Sequence, residues 1–169
     1  MSKAPKARRR TTTRIRTPDD LPALIAVLRD VHDRDAFPLT WPEDPAKWLT
    51  PYDFITAWVA LVDDAIVGHI SLSAEDERGR PEAELKRLFV APSARGAGVA
   101  HALIEVALHE CARLGRSPML QVRDGERDAI ALYERSDWIR VESYMLSWPG
   151  SRGEQLVHRY ERDRAGARL

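Results

Sequence analysis

Apolar residues that recur three and four positions apart predict two long amphipathic helices. The first helix begins after Thr17-Pro18, which combines an N-cap residue with a proline at the first helical position. The second ends before Gly115, a residue typical of helix C-termini. The apolar stripes are Leu21, Leu24, Ile25, Leu28 and Val31 in the first helix and Ala100, Leu103, Ile104, Ala107, Leu108, Cys111 and Leu114 in the second.

Shorter runs rich in β-branched and aromatic residues predict strands before, between and after these helices. Asp63-Asp64-Ala65 separates two such runs and is a hairpin signal. The predicted strands cover residues 11–16, 56–62, 66–73, 85–90, 119–122, 138–148 and 155–160, and short helices are predicted at 45–49 and 128–135. Strands that alternate with helices indicate an α/β fold, and no internal repeat or linker divides the sequence.

Composition favours one domain with a buried core. The chain has 169 residues, 44% of them apolar, and no apolar stretch approaches the ~20 residues that cross a bilayer. The basic N-terminus runs into Thr11-Thr12-Thr13 without an apolar segment, so it does not resemble a secretory signal. Cys111 is the single cysteine, which excludes an intrachain disulfide and favours a reducing compartment. We expect a cytoplasmic monomer or homodimer without membrane association.

The distribution of charge separates the N-terminus from the rest of the chain. Basic and acidic residues number 26 each, but the first 16 residues contain seven lysines and arginines and no acid. A basic tail on an acidic body suits RNA or an acidic partner. Because no aromatic residue is interleaved with these charges, we expect no nucleic-acid partner. We predict a disordered tail at residues 1–12, a domain at 13–162 and a C-terminal tail at 163–169.

A glycine-bearing turn between a predicted strand and the second helix has the features of an anion site. It runs through Arg95-Gly96-Ala97-Gly98-Val99-Ala100-His101. Backbone N–H groups converge at such a turn, and the helix dipole adds partial positive charge. The spacing differs from that of dinucleotide folds, and no lysine followed by Ser/Thr indicates an NTPase P-loop. An ordinary tight turn is the structural alternative.

Two segments carry a resemblance to a known family. Arg95-x-x-Gly98-x-Ala100, preceded by Leu88-x-Val90-x-Pro92, resembles motif A of the GCN5-related N-acetyltransferases (GNAT family), which binds the pyrophosphate of coenzyme A. Residues 129–135 are similar to motif B, and the order of elements matches over residues 13–162. The resemblance implies a single-domain α/β acyltransferase fold, with a mixed, partly splayed sheet flanked by helices. It also implies acetyl-CoA as co-substrate.

The same resemblance implies how acetyl-CoA is held. Its pantetheine pairs with the backbone of Leu88, Phe89 and Val90, where an N–H near Val90 faces the thioester oxygen as an oxyanion hole. Its pyrophosphate binds at the turn formed by Arg95, Gly96, Ala97, Gly98, Val99, Ala100 and His101. Tyr133, at the motif B tyrosine position, donates a proton or hydrogen bond to the departing thiolate. Without the resemblance, an aromatic residue on a short helix is ordinarily a packing residue.

Transfer to an amine also requires a group that removes the proton of an ammonium substrate. Glu84 precedes Val90 by six residues, so strand alternation predicts both on one face, with Glu84 on the acceptor side. Family members frequently use a glutamate at this position as general base. His69 is the alternative base, because an unperturbed imidazole titrates near ~6.5. A solvated strand-end carboxylate and a polar strand-face histidine are the structural alternatives.

The loop after the first helix belongs to the region that shapes the acceptor pocket in the family. We assign His32, Asp35 and Trp41 to acceptor binding, together with His69. Acids beside tryptophans suit a cationic amine, although a solvated loop pinned by its tryptophans fits equally well. We predict N-acetylation of a small cationic metabolite by direct transfer in a ternary complex. Acetylation of protein N-termini or lysines, and a CoA-binding sensor without catalysis, are the alternatives.

Neither a metal nor a covalent intermediate enters this prediction. The five histidines are scattered along the chain, and no group of cysteines and histidines has the spacing of metal ligands. Cys111 lies in the apolar stripe of the second helix, where we expect its thiol to be buried and unreactive.

Overall fold

A seven-stranded mixed sheet lies at the centre of the computed structural model, which describes residues 9–162. The strands are β1 (Thr11–Ile15), β2 (Phe54–Val62), β3 (Ala65–Glu75), β4 (Glu82–Val90), β5 (Ser117–Arg123), β6 (Trp138–Leu146) and β7 (Gln155–Arg162). The helices are α1 (Leu21–Asp35), α2 (Pro45–Leu49), α3 (Val99–Leu114) and α4 (Arg127–Glu134). The strand order is β1-β2-β3-β4-β5-β7-β6, in which β4 and β5 are parallel and the other neighbours antiparallel. The predicted α/β class and mixed sheet are confirmed.

Helices cover both faces of the sheet and bury a hydrophobic cluster on each. On the first face, called the α1 face below, α1 and α2 pack over β2, β3 and β4. On the opposite face, called the α3 face, α3 and α4 pack over the centre of the sheet. The buried residues of the α1 face are Leu24, Leu28, Val31, Leu49, Val59 and Phe89, and those of the α3 face include Ile70, Leu72, Leu85, Val90, Leu103, Ile104, Tyr133 and Tyr160. Both predicted apolar stripes therefore face the sheet.

The helix boundaries follow the local signals in the sequence. Pro18–Asp20 forms a 3₁₀ turn before α1, and the Thr17 N–H donates to the Asp20 carboxylate over 2.7 Å. At the other long helix, Gly98 precedes α3 with φ of 79° and Gly115 follows it with φ of 66°. Both values lie in the left-handed region that favours glycine, which explains glycine at each end.

The parallel strands β4 and β5 pair over a short distance and then separate. Their register joins Glu82–Glu84 to Ser117–Met119. Beyond these residues, β4 continues to Val90 and β5 to Arg123 without pairing to each other. A gap therefore opens between the C-terminal halves of the two strands, which is the splayed sheet predicted from the resemblance.

One extra residue in β4 interrupts its pairing with β3. His69 pairs with Phe89 and Ser71 pairs with Lys86, so one β3 residue between them faces two residues of β4. Arg87 occupies this β-bulge with φ of 55°, a conformation that side-chain-bearing residues adopt infrequently. A bulge changes which side chains of the two strand halves share a face.

The bulge corrects one prediction about the site. Glu84 pairs with Ser73 and Val90 pairs with Gly68, and these two β3 residues are an odd number of positions apart. They therefore point to opposite faces of the sheet. Val90 lies on the α3 face and Glu84 on the α1 face, so the predicted shared face is wrong.

The described residues cover the predicted domain and a part of its N-terminal flank. Strand β1 begins at Thr11, two residues before the predicted start of the domain. Residues 1–8 of the predicted tail and the predicted tail at 163–169 lie outside the described part of the chain. Within residues 9–162, no helix has the length and apolarity required to cross a membrane.

Candidate active site

The backbone of β4 faces the gap between the parted strands. The Ala91 N–H donates to the Val67 carbonyl over 2.7 Å, and Phe89 pairs with His69, so these β4 residues bond toward β3. Because hydrogen-bonding directions alternate along a strand, the amide of Val90 points the other way, into the gap. A donor in this position can stabilise negative charge on a carbonyl oxygen bound between the strands.

The N-terminus of α3 presents a row of amides beside this gap. The Ala102 N–H donates to the Gly98 carbonyl over 3.0 Å, so the amides of Val99, Ala100 and His101 precede the first helical hydrogen bond. Gly96 and Gly98 have φ of 78° and 79°, and a Cβ built on either would meet no atom within 4 Å. The backbone conformation therefore requires these glycines, and the helix end remains open to an anion.

Arg95 is engaged with groups of its own chain. Its Nη2 lies 2.5 Å from Asp35 Oδ2 at the end of α1 and donates to the Val90 carbonyl over 3.3 Å. These contacts tie the predicted pyrophosphate turn to α1 and to β4. A phosphate contact by this guanidinium stays a prediction, and within residues 9–162 its Nη1 makes no hydrogen bond that would compete. Asp35, assigned to the acceptor from the sequence, is placed against Arg95 instead.

Glu84 lies at the point where β4 and β5 separate and is 6% exposed. It accepts a hydrogen bond from Gln121 Nε2 over 3.2 Å, and Lys86 Nζ lies 3.1 Å from its other oxygen. Lys86 also pairs with Asp53 over 3.1 Å, and the Tyr144 hydroxyl donates to Gln121. Burial raises the pKa of Glu84, and the Lys86 ammonium opposes this rise. The carboxylate is therefore held in place and has a higher proton affinity than a solvated glutamate.

Tyr133 lies on the other face of the sheet from Glu84. It lies in the α3-face cluster that also contains Val90, with its ring centroid 6.1 Å from Trp138 and 6.2 Å from Tyr160. Within residues 9–162 its hydroxyl makes no hydrogen bond, and burial raises its pKa. A neutral, unpartnered hydroxyl is suited to donate a proton or hydrogen bond to an anion that forms beside it.

His69 is held as a neutral structural residue. It is fully buried, its Nδ1 lies 2.8 Å from the Arg87 carbonyl, and its Nε2 lies 3.0 Å from Arg16 Nη1. Because guanidinium only donates, Nε2 accepts and Nδ1 carries the hydrogen. Burial, together with the charges of Arg16 and Arg87, lowers the pKa of His69 to about 3. With both nitrogens occupied and no exposed surface, His69 has no atom available for an acceptor or its proton.

The residues predicted to bind a cationic acceptor are paired within the protein. Arg29 lies 3.5 Å from the centre of the Trp41 ring, and the His32 ring packs edge-on at 5.4 Å. His32 also bonds to the Pro38 carbonyl over 2.7 Å. The guanidinium of Arg87 lies 3.9 Å from the Trp48 ring. The aromatic surfaces that a cationic substrate would use are therefore covered by the protein's own arginines.

Several residues of the site carried a weak signal or none in the sequence. Lys86 follows Glu84 by two positions, so strand alternation alone places both on one face. Gln121 contacts Glu84 only because β5 lies beside β4 in the sheet. Tyr144, on β6, contacts Gln121 in turn. Within residues 9–162, no three metal-ligating side chains converge. Cys111 is buried, as predicted, and burial raises the pKa of its thiol to about 11.

The sequence is similar to those of known acetyltransferases. The sequence profile of the acetyltransferase (GNAT) family matches residues 26–138. Mycothiol acetyltransferase of Geodermatophilus obscurus is 33% identical over 108 residues, which are 62% of this chain and 34% of that protein. The chain thus spans about a third of the length of this curated relative.

Solved structures share the fold over nearly the whole chain. The ribosomal-protein-S18-alanine N-acetyltransferase of Escherichia coli has a TM-score of 0.69 at 19% identity, covering 95% of this chain and 99% of that one. Arabidopsis thaliana NAA60 in complex with acetyl-CoA has a TM-score of 0.70 at 20% identity, covering 90% and 99%. At these identities the likeness establishes a common fold.

The placement of His69 predicts a pH dependence of stability. Between pH values of about 3 and 6.5 the folded state binds fewer protons at His69 than the unfolded state, so the free energy of unfolding rises with pH. This stabilisation is complete above the unfolded pKa and is lost as the pH falls. Urea titrations from pH 4.5 to 6.5 should show His69→Gln reducing the slope by up to about 1.4 kcal/mol per pH unit.

His109→Gln, which removes an exposed histidine of α3, is the matched control and should leave the slope unchanged. An equal slope in wild type and His69→Gln would show that His69 is not held neutral in the fold.

Proposed function

Because the chain belongs to the acetyltransferase (GNAT) family, we propose that it transfers the acetyl group of acetyl-CoA directly to a primary amine in a ternary complex. The profile match confirms the family that the two sequence motifs predicted, an acetyl-CoA-dependent family of N-acetyltransferases. The observation that supports direct transfer is that Glu84 and Tyr133 lie on opposite faces of the sheet, Glu84 where β4 and β5 separate and Tyr133 in the cluster that contains Val90.

Acetyl-CoA is the first substrate in this proposal. Its pyrophosphate binds the amides at the start of α3, and its pantetheine extends along β4 with the thioester in the gap. The Val90 amide donates to the carbonyl oxygen, which becomes negatively charged when the amine attacks. These contacts use backbone groups, so the side chains of Leu88, Phe89 and Val90 remain free to pack in the core.

The proton and the electron pair then move to groups on the two faces. On the α1 face, Glu84 removes a proton from the ammonium, directly or through water, and the neutral nitrogen forms a bond to the carbonyl carbon. When the C–S bond breaks, the electron pair goes to the CoA sulfur, which receives a proton from the Tyr133 hydroxyl on the α3 face. The nitrogen loses its second proton to water, and the Tyr133 phenolate regains a proton from water. The products are the N-acetylated amine and CoA, with no acetyl-enzyme.

The acceptor has to be inferred from the site, because relatives differ in it. The Escherichia coli protein is named for an alanine of ribosomal protein S18, and the Geodermatophilus protein for mycothiol. A small-molecule amine is our proposal, with protein N-termini or lysines as the alternative. A CoA-binding sensor without catalysis would not need Glu84 and Tyr133 together. Location in the cytoplasm remains a prediction from the single, buried cysteine.

Replacing Tyr133 by phenylalanine tests the proton donor. Tyr133→Phe should lower kcat by about 10- to 1000-fold and leave the affinity for CoA unchanged, since only the hydroxyl is lost. The fold should also be unaffected, because this hydroxyl has no hydrogen-bond partner among the described residues. Release of CoA thiol, followed with a thiol reagent, gives kcat, and calorimetry gives the affinity.

Tyr160→Phe is the matched control, because this neighbouring hydroxyl donates to Glu134 over 2.8 Å. It should lose some stability and keep kcat. A wild-type rate in Tyr133→Phe would remove Tyr133 from the reaction.

Replacing Glu84 by glutamine tests the base. The carboxylate acts only when ionised, so kcat/KM in wild type should rise with pH through a pKa above that of an ordinary glutamate. Glu84→Gln should lower kcat/KM by about 100-fold or more and remove this rise. The measurement uses two amines of different pKa, because ionisation of the acceptor produces a similar rise.

Glu75→Gln serves as the control, since this carboxylate lies near Glu84 but forms none of its contacts. If the rise follows the acceptor alone and Glu84→Gln keeps most of its activity, Glu84 is not the base.

A further inference from the structure

Arg87 presents a fixed guanidinium on the α1 face, near Glu84. The bulge places its backbone between Lys86 and the end of β4, and its side chain packs 3.9 Å above the Trp48 ring. Its Nε donates to the Trp48 carbonyl over 3.1 Å. One edge of the guanidinium is thus anchored, and the stacking on Trp48 limits its rotation.

The opposite edge of this guanidinium has no partner. Within residues 9–162, neither Nη1 nor Nη2 of Arg87 makes a hydrogen bond, and no carboxylate lies within 4 Å of them. Glu84 and Asp53 are near enough to stabilise its charge, but both are bound to Lys86. Burial lowers the pKa of Arg87, which means that its charge is partly removed from water without a counter-ion.

Arg16 adds a second guanidinium without a paired acid on the same face. It donates to the Leu49 carbonyl over 2.8 Å and to Thr50 Oγ1 over 2.7 Å, at the end of α2. Among the described residues, no carboxylate lies within 4 Å of it. The charges of Arg16 and Arg87 both act on the imidazole of His69, so the two guanidinium groups lie in the same region. Two guanidinium groups without a paired carboxylate therefore lie in the region beside Glu84.

The groups that would receive a cationic substituent are already neutralised. Trp41 is covered by Arg29, Trp48 by Arg87, and Asp35 is paired with Arg95. Beside the base, Arg87 combines an anchored position with two unpaired donors. We propose that the acceptor carries a carboxylate in addition to its amine, and that Arg87 binds this carboxylate through Nη1 and Nη2 while the amine lies at Glu84.

Arginine suits this role because its two free N–H groups match the two oxygens of a carboxylate. Arg16 contributes long-range attraction, since its own donors are largely used by Leu49 and Thr50. The inference rests on the proposed function, because the amine at Glu84 is the group that is acetylated. It replaces the cationic acceptor with one that carries both charges, either a free amino acid or a peptide with an acidic side chain.

The experiment compares matched acids and amides as acceptors. Linear ω-amino acids of increasing length are assayed beside their amides, and peptides with an internal glutamate beside the same peptides with glutamine. The wild-type protein should prefer the acid by about tenfold or more in kcat/KM. The length of the best ω-amino acid reports the distance between the two groups, and the free and peptide series distinguish the two kinds of acceptor.

Variants of Arg87 locate the preference. Arg87→Gln should raise KM for the acid about tenfold or more, leave KM for the amide unchanged and leave CoA affinity unchanged. Arg87→Lys retains the charge without the paired donors and should restore part of the preference. Arg29→Gln is the matched control, because it removes a guanidinium that stacks on Trp41 instead of Trp48. This variant should keep the full preference for the acid over the amide.

The outcomes separate this inference from the proposed function. Acetylation of amides or diamines at least as fast as acids in wild type, or a full preference in Arg87→Gln, would overturn the carboxylate site and leave the transferase intact. If Arg87→Gln does not fold, the comparison of acids with amides in wild type and Arg87→Lys decides. Absence of CoA release with every amine would overturn both.

Discussion

The separation of β4 and β5 is the constraint on which the rest of the site depends. The two strands are tied over Glu82–Glu84 and Ser117–Met119, and then each continues alone. Unpaired strand edges inside a sheet leave backbone donors without partners, which is costly unless a ligand or water satisfies them. The Val90 amide and the first amides of α3 converge at this opening. The sheet is thus interrupted at one place among the described strands, and this is where we propose that the thioester binds.

The bulge at Arg87 gives this opening two chemically different sides. In a regular strand with the same residues, the six-residue spacing would place Glu84 and Val90 on one face, and the carboxylate would point into the apolar cluster that contains Tyr133. With it, Glu84 lies in a polar network with Lys86 and Gln121. In the proposed reaction, the sheet separates the removal of a proton from the nucleophile from the donation of one to the leaving group. The same bulge places the guanidinium of Arg87 against Trp48, on the face that contains Glu84.

Local signals in the sequence sufficed for the helices, for the glycines of the α3 turn and for the order of elements. Thr17-Pro18, Gly98 and Gly115 mark helix ends through contacts with neighbouring residues. These helix ends can therefore be predicted without knowledge of the fold. The bulge moves the apolar alternation of β4 from Ala83 and Leu85 to Leu88 and Val90, but this shift is hard to recognise because residues 88–90 form a continuous apolar run. The pairing of Asp35 with Arg95, and the stacking of Arg29 and Arg87 on tryptophans, join distant segments. The sequence therefore could not show that these acids and tryptophans are occupied within the fold.

The most direct test is an amide NMR titration of the protein with CoA and, separately, with acetyl-CoA. Both ligands carry the pyrophosphate, so the amides of residues 96–101 should shift with either. Only acetyl-CoA presents a thioester carbonyl, so the Val90 amide should shift further with acetyl-CoA than with CoA. Unmoved amides at residues 96–101, or a Val90 amide that responds identically to both ligands, would contradict the assignment of the gap between β4 and β5 as the site of transfer.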